Sequence, residues 1–335
     1  MGSTSAMQLE RPPALVPPAW ARGGHAQTLL AHVLRSRRDD ISTWTGARRV
    51  DVPVGEGDRM VGFFVPGESG VVVALFHGLA GDTKAEYMRR VAQLARERGH
   101  GIWAVNHRGC WPGDGLSRRP YHSGCWPDVA AALEVGRSVA PGTRTVAVGF
   151  SLSGNVLALL MGKAPLEQQP DAAVCVNAPI DLASCSDLIG RGLNRIYDLR
   201  FVRDLRRSVE ERRQLGMLGQ EEARIPPFAS LRVFDELYTA PQSGFASAAD
   251  YYERCSAAPW LERIKRPTVL LTAADDPFVS AQPYREARHS GSVHVHVEEV
   301  GGHLGYLSGP PTPRGDRQWL DQALGSYLDQ LVCRL

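Results

Sequence analysis

The amino-acid sequence predicts an α/β protein with a doubly wound, mostly parallel β-sheet and a helical cap insertion. Three observations support this fold class. Short runs of apolar, β-branched residues alternate with segments of helical periodicity, as in sheets buried between two helical layers. The alternation stops over residues 181–260, which hold no such run and are rich in charge. It then resumes and continues to the end of the chain.

We divide the 335 residues into three parts. Residues 1–45 contain the Pro- and Gly-rich stretch "RPPALVPPAWARGGH" and are predicted to lie extended over the surface. Residues 46–180 and 261–335 form the α/β core, joined by right-handed crossovers. Residues 181–260 form the helical cap.

The first half of the core begins with two strands joined by a turn and continues with alternating strands and helices. A capping box at Thr83 and Glu86 is expected to begin its first helix, and Gly99 to end it. The predicted strands are "RRVDVPV", "MVGFFV", "GVVVALFHG", "GIWAVNHRG", "TRTVAVGFS" and "AAVCVNAP", and the helices "TKAEYMRRVAQLARERG", "DVAAALEVGRSV" and "NVLALLMGKA".

The arginines of the cap segment "DLIGRGLNRIYDLRFVRDLRRSVEERRQL" are interpreted as a solvated helix face, with a site for an anionic surface or headgroup as the alternative. The second half of the core holds the strands "PTVLLTA" and "SVHVHVEEV" and the helices "QPYREARHS" and "DRQWLDQALGSYLDQLVCR". His294 and His296 alternate with valine, which favours a polar strand face over a metal site, because no third ligand is evident.

Composition excludes several classes of protein. A net charge of +2 gives no general attraction to nucleic acid, and no apolar run is long enough for a transmembrane helix. The amino terminus lacks a secretory pattern, and Ala6 argues against myristoylation at Gly2. Six cysteines without a CxxC pair indicate a reducing compartment. We expect a cytoplasmic protein without metal or other cofactor. Peripheral lipid contact and the oligomeric state are left open.

The stretch "VAVGFSLSGNV" carries the strongest chemical signal. A serine hydroxyl becomes nucleophilic when a base takes its proton, and a sharp turn between strand and helix can present it above a sheet. Such a turn requires small residues two positions before and after the serine. Gly149 and Ser153 flank Ser151 in this way, whereas Asn155 is too large for Ser153 to be the nucleophile. Ser151 is therefore the predicted nucleophile and Ser153 a small spacer.

An oxyanion formed at Ser151 needs two backbone donors. We expect the amide of Leu152, which follows the nucleophile, and that of Leu79 in the loop "LFHGLAGD". His77 in this loop is interpreted as a structural residue. Arg108 and Cys110 follow another strand and either wall the pocket or pack.

The orienting acid and the base should follow Ser151 in that chain order. Asp276 in "ADDPFVS" is the preferred acid because Pro277 stiffens its loop, and Asp275 is the alternative. His303 in "EEVGGHLGY" is the predicted base, because it alone of the ten histidines follows a late strand after the acid.

The chain resembles the α/β-hydrolase superfamily, and within it the AB hydrolase-4 branch of bacterial esterases and animal abhydrolase-domain lipases. The matching stretches, spread over nearly the whole chain, include "GGHAQT", "HGLAGDTKAEYMRRVA", "NHRGC", "GFSLSGN", "NAPIDLASCSDLIGRGLNRIY", "TAPQSGFASAADYYERCSA", "DDPF" and "GGHLGY". The resemblance places Ser151, Asp276 and His303 on the family's catalytic triad, although the family usually has Gly where Ser153 stands. It implies hydrolysis of carboxylic esters, with acylglycerols or phospholipids as substrates of some members.

The sequence therefore predicts a serine esterase that cleaves short- to medium-chain acyl esters of small molecules through an acyl-enzyme. Two alternatives remain at this stage. The same triad serves an acyltransferase or thioesterase, and a hydrolase-like scaffold can bind a ligand without catalysis.

Overall fold

The computed structural model describes residues 7–33, 39–218 and 224–335. Within them one sheet has the strand order β1-β2-β4-β3-β5-β6-β7-β8. Strands β3 to β8 run parallel, while β2 pairs antiparallel with both β1 and β4. The strands are β1 (Arg48–Pro53), β2 (Arg59–Val65), β3 (Val71–Phe76), β4 (Gly101–Asn106), β5 (Arg144–Phe150), β6 (Ala172–Val176), β7 (Thr268–Ala273) and β8 (Val293–Glu298).

Eleven α-helices are found in the described part of the chain. Short 3-10 turns and one π turn (Asp235–Thr239) join them. The helices are α1 (Gly24–Val33), α2 (Glu86–Glu97), α3 (Trp126–Val139), α4 (Leu152–Lys163), α5 (Leu182–Ile189), α6 (Arg195–Gln214), α7 (Leu231–Phe234), α8 (Ala240–Gln242), α9 (Ala248–Cys255), α10 (Gln282–Glu286) and α11 (Trp319–Val332).

The inner strands of the sheet are buried on both faces, which confirms the predicted fold class. Every residue of β3, β4 and β6 is buried. Along β4, Trp103 packs on the side of α3 and α4, whereas Ile102 packs on the side of α2 and α11. This alternation explains the continuous apolar runs in the sequence, because successive side chains enter opposite apolar layers.

The amino-terminal segment differs from the predicted extended chain over residues 1–45. Residues Gly24–Val33 form α1. The Pro-rich part before it is also tied down, since Leu9 and Leu15 are buried and the Pro13 carbonyl accepts a hydrogen bond from Trp319 Nε1. Contacts with α11 therefore hold this segment against the core. The predictions for residues 1–6 lie outside the described residues.

The predicted capping box of α2 was wrong. The helix begins at Glu86 with Ala85 at its N-cap, and no side chain caps it. Thr83 is buried, and its amide donates to Asn106 Oδ1 over 2.8 Å. Thr83, which the local sequence predicts to cap the helix, instead makes a tertiary hydrogen bond with Asn106. The helix ends as expected before Gly99, whose φ is +71°.

His296 of β8 belongs to a buried hydrogen-bond network. His296 Nδ1 lies 2.6 Å from the Tyr327 hydroxyl, and Nε2 lies 3.0 Å from Glu298 Oε2. Helix α11 covers the face of β8 that carries His296. This strand face is therefore polar, as predicted, but His296 is not exposed to solvent.

The described residues of the insertion form helices α5 to α9 between β6 and β7, with no strand among them. Among the described residues, two apolar clusters belong to this segment alone, and one of them includes Val202, Val209 and Phe234. None of the helices in the described ranges combines the length and hydrophobicity needed to cross a membrane. All six cysteines lie in described residues and are free.

Gly62 offers a test of the packing between β2 and α3. A Cβ on Gly62 would lie 2.3 Å from the Trp103 ring, and this ring is held by a 2.8 Å bond from Nε1 to the Ala132 carbonyl. We expect Gly62→Ala to lower the free energy of unfolding by about 1–3 kcal/mol through overpacking, as measured by urea denaturation. Gly23→Ala is the control, since nothing lies within 4 Å of its added Cβ. Equal stability of the two variants would contradict the packing described here.

Candidate active site

Ser151 stands at a strained turn between β5 and α4. Its φ is +52° and its ψ −121°, a conformation that is unfavourable for any residue with a side chain. The chain passes close to itself on both sides of the turn. A Cβ on Gly149 would lie 2.4 Å from the Ser153 carbonyl oxygen, and one on Gly154 would lie 2.8 Å from Ala178 Cβ. The small residues that the sequence shows around Ser151 are therefore required by the close approach of the backbone.

Ser151, His303 and Asp276 form a continuous chain of hydrogen bonds. His303 Nε2 lies 3.0 Å from Ser151 Oγ, and His303 Nδ1 lies 2.7 Å from Asp276 Oδ2. A carboxylate can only accept, so Nδ1 carries the ring proton when the imidazole is neutral. Nε2 is then free to accept the proton of the serine hydroxyl. The structure thus brings together three residues that lie far apart in the sequence.

The Asp276 carboxylate is fixed by further donors. Its Oδ1 accepts the amides of Phe278 and Val279 at 3.0 Å each, and its Oδ2 accepts Asn177 Nδ2 at 2.7 Å. The side chain is completely buried. These contacts leave the carboxylate one orientation, with Oδ2 toward His303.

Asp275 has a different environment. Its Oδ1 accepts the amide of Gly302 at 2.8 Å, and its carboxyl therefore braces the loop that carries His303. Burial raises the pKa of Asp275 above its ordinary value. Of the two candidate acids, Asp276 contacts the imidazole.

His303 is positioned by α1, an element that the sequence analysis missed. The His303 amide donates to Thr28 Oγ1 over 2.9 Å, and Thr28 in turn donates to the Gly24 carbonyl. A Cβ on Gly24 would lie 1.7 Å from the Asp275 carbonyl oxygen, so the helix start lies directly against the acid loop. The Pro- and Gly-rich composition before α1 favours an extended chain, so the helix was not predicted. The stretch "GGHAQT", which matches the family, lies in this helix and just before it.

Asn177 is another residue that sequence reasoning missed. It follows β6, has a φ of +46°, and donates to Asp276 while accepting from the Tyr306 hydroxyl at 3.0 Å. A polar residue at the carboxyl end of a parallel strand is a usable signal for such a position, because these ends meet at one edge of the sheet.

The two expected oxyanion donors lie beside Ser151. Leu152 is the first residue of α4, so its amide has no acceptor within the helix. In the loop after β3, the amides of Gly78 and Ala80 donate to the hydroxyls of Tyr87 and Tyr121. The Leu79 amide between them has no partner among the described residues. Tyr87 and Tyr121 thus hold the loop through the amides of Gly78 and Ala80. The amide of Leu79 stays available to donate to another acceptor.

Ser153 does more than occupy little space. Its hydroxyl donates to the His77 carbonyl and lies 2.6 Å from His107 Nε2. Because its own proton goes to His77, Ser153 accepts the Nε2 proton of His107. Burial lowers the pKa of His77 to about 4 and that of His107 well below its ordinary value, so both rings are neutral. Ser153 therefore links the loops that follow β3, β4 and β5.

Arg108 and Cys110 have mainly structural contacts. Arg108 bonds to Asp58 and Asp128 at 2.6 Å and lies along one side of a cavity that Ser151 also lines. Burial raises the pKa of Cys110 to about 12, which disfavours the nucleophilic thiolate.

Two cavities meet at Ser151. One, of about 110 Å³, extends beneath the helices of the insertion and is lined largely by apolar side chains such as Leu152, Phe234 and Phe278. The other, of about 390 Å³, also contains His303 and carries charged side chains at its rim, among them Lys84 and Arg200. Leu79, Phe201 and Phe278 border both cavities.

Comparisons with known proteins agree on the fold. The model of the alpha/beta hydrolase family matches residues 71–313. The Escherichia coli protein YheT carries a provisional esterase name. It is 32% identical to this chain over 91% of this chain and 89% of its own. Human phospholipase ABHD3 is 24% identical over 94% of this chain and 78% of its own. The Pyrococcus furiosus esterase Pf2001 has a TM-score of 0.57 at 14% identity over 98% of each chain, a likeness of fold alone. The resemblance inferred from the sequence is confirmed.

Ser153→Ala tests the hydrogen-bond network of Ser153, His77 and His107 beside the turn at Ser151. The substitution leaves the His107 ring proton without an acceptor in a buried place, so we expect the free energy of unfolding to fall by about 1–3 kcal/mol. Ser138→Ala is the matched control, because this hydroxyl bonds at an exposed position and its loss should change stability by less than about 0.5 kcal/mol. Chemical denaturation followed by circular dichroism measures both. Wild-type stability of Ser153→Ala would refute the assigned network.

Proposed function

The chain belongs to the alpha/beta hydrolase family, and we propose that it hydrolyses carboxylic esters with Ser151 as nucleophile, His303 as base and Asp276 as the orienting acid. The observation that carries the proposal is the pair of contacts at His303, 3.0 Å to Ser151 Oγ and 2.7 Å to Asp276 Oδ2. The names of the relatives, an esterase and a phospholipase, support the same reaction class.

The geometry suits a two-step reaction. Ser151 Oγ attacks the ester carbonyl while its proton moves to His303 Nε2, and Asp276 stabilises the imidazolium. The tetrahedral intermediate collapses when Nε2 protonates the leaving alcohol, which leaves the acyl group on Ser151. A water molecule then gives its proton to Nε2 and attacks the acyl-enzyme. Collapse of the second intermediate releases the acid and restores the Ser151 hydroxyl.

The oxyanion is assigned to the amides of Leu79 and Leu152. Two neutral donors that are already in place stabilise negative charge without reorganisation when the carbonyl is attacked. The positive end of the α4 helix dipole lies at the same point and adds to this stabilisation.

The two cavities are assigned to the two parts of the ester. His303 must reach the leaving oxygen, so the alcohol occupies the open cavity that contains His303. The acyl group stays bonded to Ser151 and occupies the cavity beneath residues 181–260, which we propose act as a cap. This cavity, at about 110 Å³, is smaller than the cavity that contains His303, at about 390 Å³. We therefore propose esters of short acyl chains as the preferred substrates.

Ser151→Ala should abolish the activity. We expect turnover of a p-nitrophenyl ester to fall by a factor on the order of 10³ or more, because the nucleophile is lost. Ser138→Ala is again the control and should retain full activity. Near-normal turnover by purified Ser151→Ala would refute the mechanism.

Two acid variants distinguish the assigned roles of the neighbouring carboxylates. Asp276→Asn presents an amide to His303 and disturbs its tautomer, so we expect kcat to fall about 10³- to 10⁴-fold. Asp275→Asn keeps an oxygen for the Gly302 amide and should lower kcat less than about tenfold. Steady-state kinetics on the same ester measures both, and a reversed order would assign the triad acid to Asp275.

Acyl-chain preference tests the role of the cavity beneath the cap. We expect kcat/KM on p-nitrophenyl esters to be highest for short acyl chains and to decline for longer ones, because this cavity is the smaller of the two. Phe234 lines it and is buried, so Phe234→Ala should move the optimum to longer chains. Phe63→Ala, in the sheet far from the cap, is a control for general destabilisation. An optimum that Phe234→Ala leaves unchanged would place the acyl chain elsewhere.

A further inference from the structure

Helix α6 concentrates positive charge in a nearly neutral protein. Its twenty residues contain seven arginines and four carboxylates, whereas the whole chain has a net charge of +2. One helix therefore carries more net positive charge than the entire molecule. Such an imbalance creates a local positive potential toward solvent.

Three of the seven arginines form a stripe on the outer side of the helix. Ile196, Arg200, Arg203 and Arg207 follow one another at spacings of three and four residues and are all exposed. Of the acids in the same three turns, Asp198 is buried and bonds inward to the amide of Leu231. Asp204 lies 3.2 Å from Arg203 and offsets part of its charge.

Large apolar side chains flank this stripe. Leu193 is 71% exposed, Ile196 65% and Phe228 80%, values that are unusual for such residues in a folded protein. Phe228 lies beside the stripe, since the carbonyl of Pro227 accepts a hydrogen bond from Arg206. We call Leu193, Ile196, Arg200, Arg203, Arg207 and Phe228 the cap face.

The cap face adjoins the opening of the larger cavity. Arg200 lines that cavity together with Ser151 and His303. Tyr197, one residue after Ile196, stacks on His25 of α1 with ring centroids 5.7 Å apart. Leu29 of α1 is 47% exposed and lines the same opening. Exposed charged and apolar side chains thus lie beside the entrance to the site.

We propose that the cap face binds an anionic lipid bilayer surface and presents the open cavity to it. Exposed leucine, isoleucine and phenylalanine side chains gain free energy by entering the region between headgroups and acyl chains. Arginines beside them pair with lipid phosphates, and a negatively charged leaflet attracts them from solution. A face that is only solvated explains the arginines but leaves the three bulky apolar side chains in water without a partner. The proposal concerns binding and holds whether or not the ester reaction is as proposed above.

Vesicle co-sedimentation tests the proposal. Ser151→Ala protein is used so that no lipid is cleaved, with vesicles of phosphatidylcholine alone or mixed with phosphatidylglycerol. We expect binding to the anionic vesicles, weakening at high salt, and at least tenfold weaker binding to the neutral ones.

Arginine variants identify the surface. Arg203→Gln with Arg207→Gln removes two charges of the cap face and should weaken vesicle binding by about 20- to 30-fold. Arg285→Gln with Arg288→Gln removes the same charge from an exposed region outside the cap and should leave binding within about twofold. If both pairs weaken binding equally, net charge alone is responsible and the proposal is wrong.

An apolar pair completes the test. Phe228→Ala should weaken binding at least tenfold, whereas Leu166→Ala, at an exposed site on the core, should not. Hydrolysis of a soluble short-chain ester should be unchanged in the Phe228 and Arg203/Arg207 variants made with Ser151 intact, which separates this proposal from the mechanism. Absence of binding to anionic vesicles, or binding that the cap-face variants do not alter, would overturn it.

Discussion

The site depends on the hydrogen bond between His303 Nδ1 and the Asp276 carboxylate. Asp276 receives four donors in all, two backbone amides on Oδ1 and the side chains of Asn177 and His303 on Oδ2. With every donor in place, the carboxylate has one orientation, and the imidazole has one tautomer. The free Nε2 atom then faces Ser151. Without this hydrogen bond, the imidazole of His303 would not be held in the tautomer and orientation that direct Nε2 toward Ser151.

Strain at Ser151 is maintained by the surrounding sheet edge. A non-glycine residue with φ of +52° persists only where neighbouring contacts determine its conformation. Here those contacts come from Gly149 and Gly154, which allow close backbone approach, and from Ser153, which bonds to the loops after β3 and β4. The buried neutral histidines His77 and His107 connect the turn at Ser151 to the loop that carries Leu79. Ser151 and the loop that carries Leu79 are therefore held by one hydrogen-bond network.

The helices between β6 and β7 have two chemically different sides. Their inner side chains, such as Phe234, close a small apolar space over Ser151. The outer side of α6 presents arginines and exposed apolar groups around the opening to solvent. Our two proposals thus place selection of the acyl group and access to the substrate on opposite sides of this segment.

The sequence by itself determined the strand–helix alternation and the sharp turn at Ser151, and it predicted Asp276 and His303 as acid and base. These follow from local rules, because burial between two layers demands apolar runs and a tight turn demands small residues. It could not determine α1, whose packing against the acid loop overrides its Gly-rich start, or the loss of the Thr83 cap to Asn106. Thr28 and the partners of Ser153 were equally hidden, and so was the pairing of Asn177 with Asp276, although the position of Asn177 after β6 was a usable signal. Only the tertiary structure decided these, because they are contacts between residues about 20 to 275 positions apart, and local pattern carries no information about such pairs.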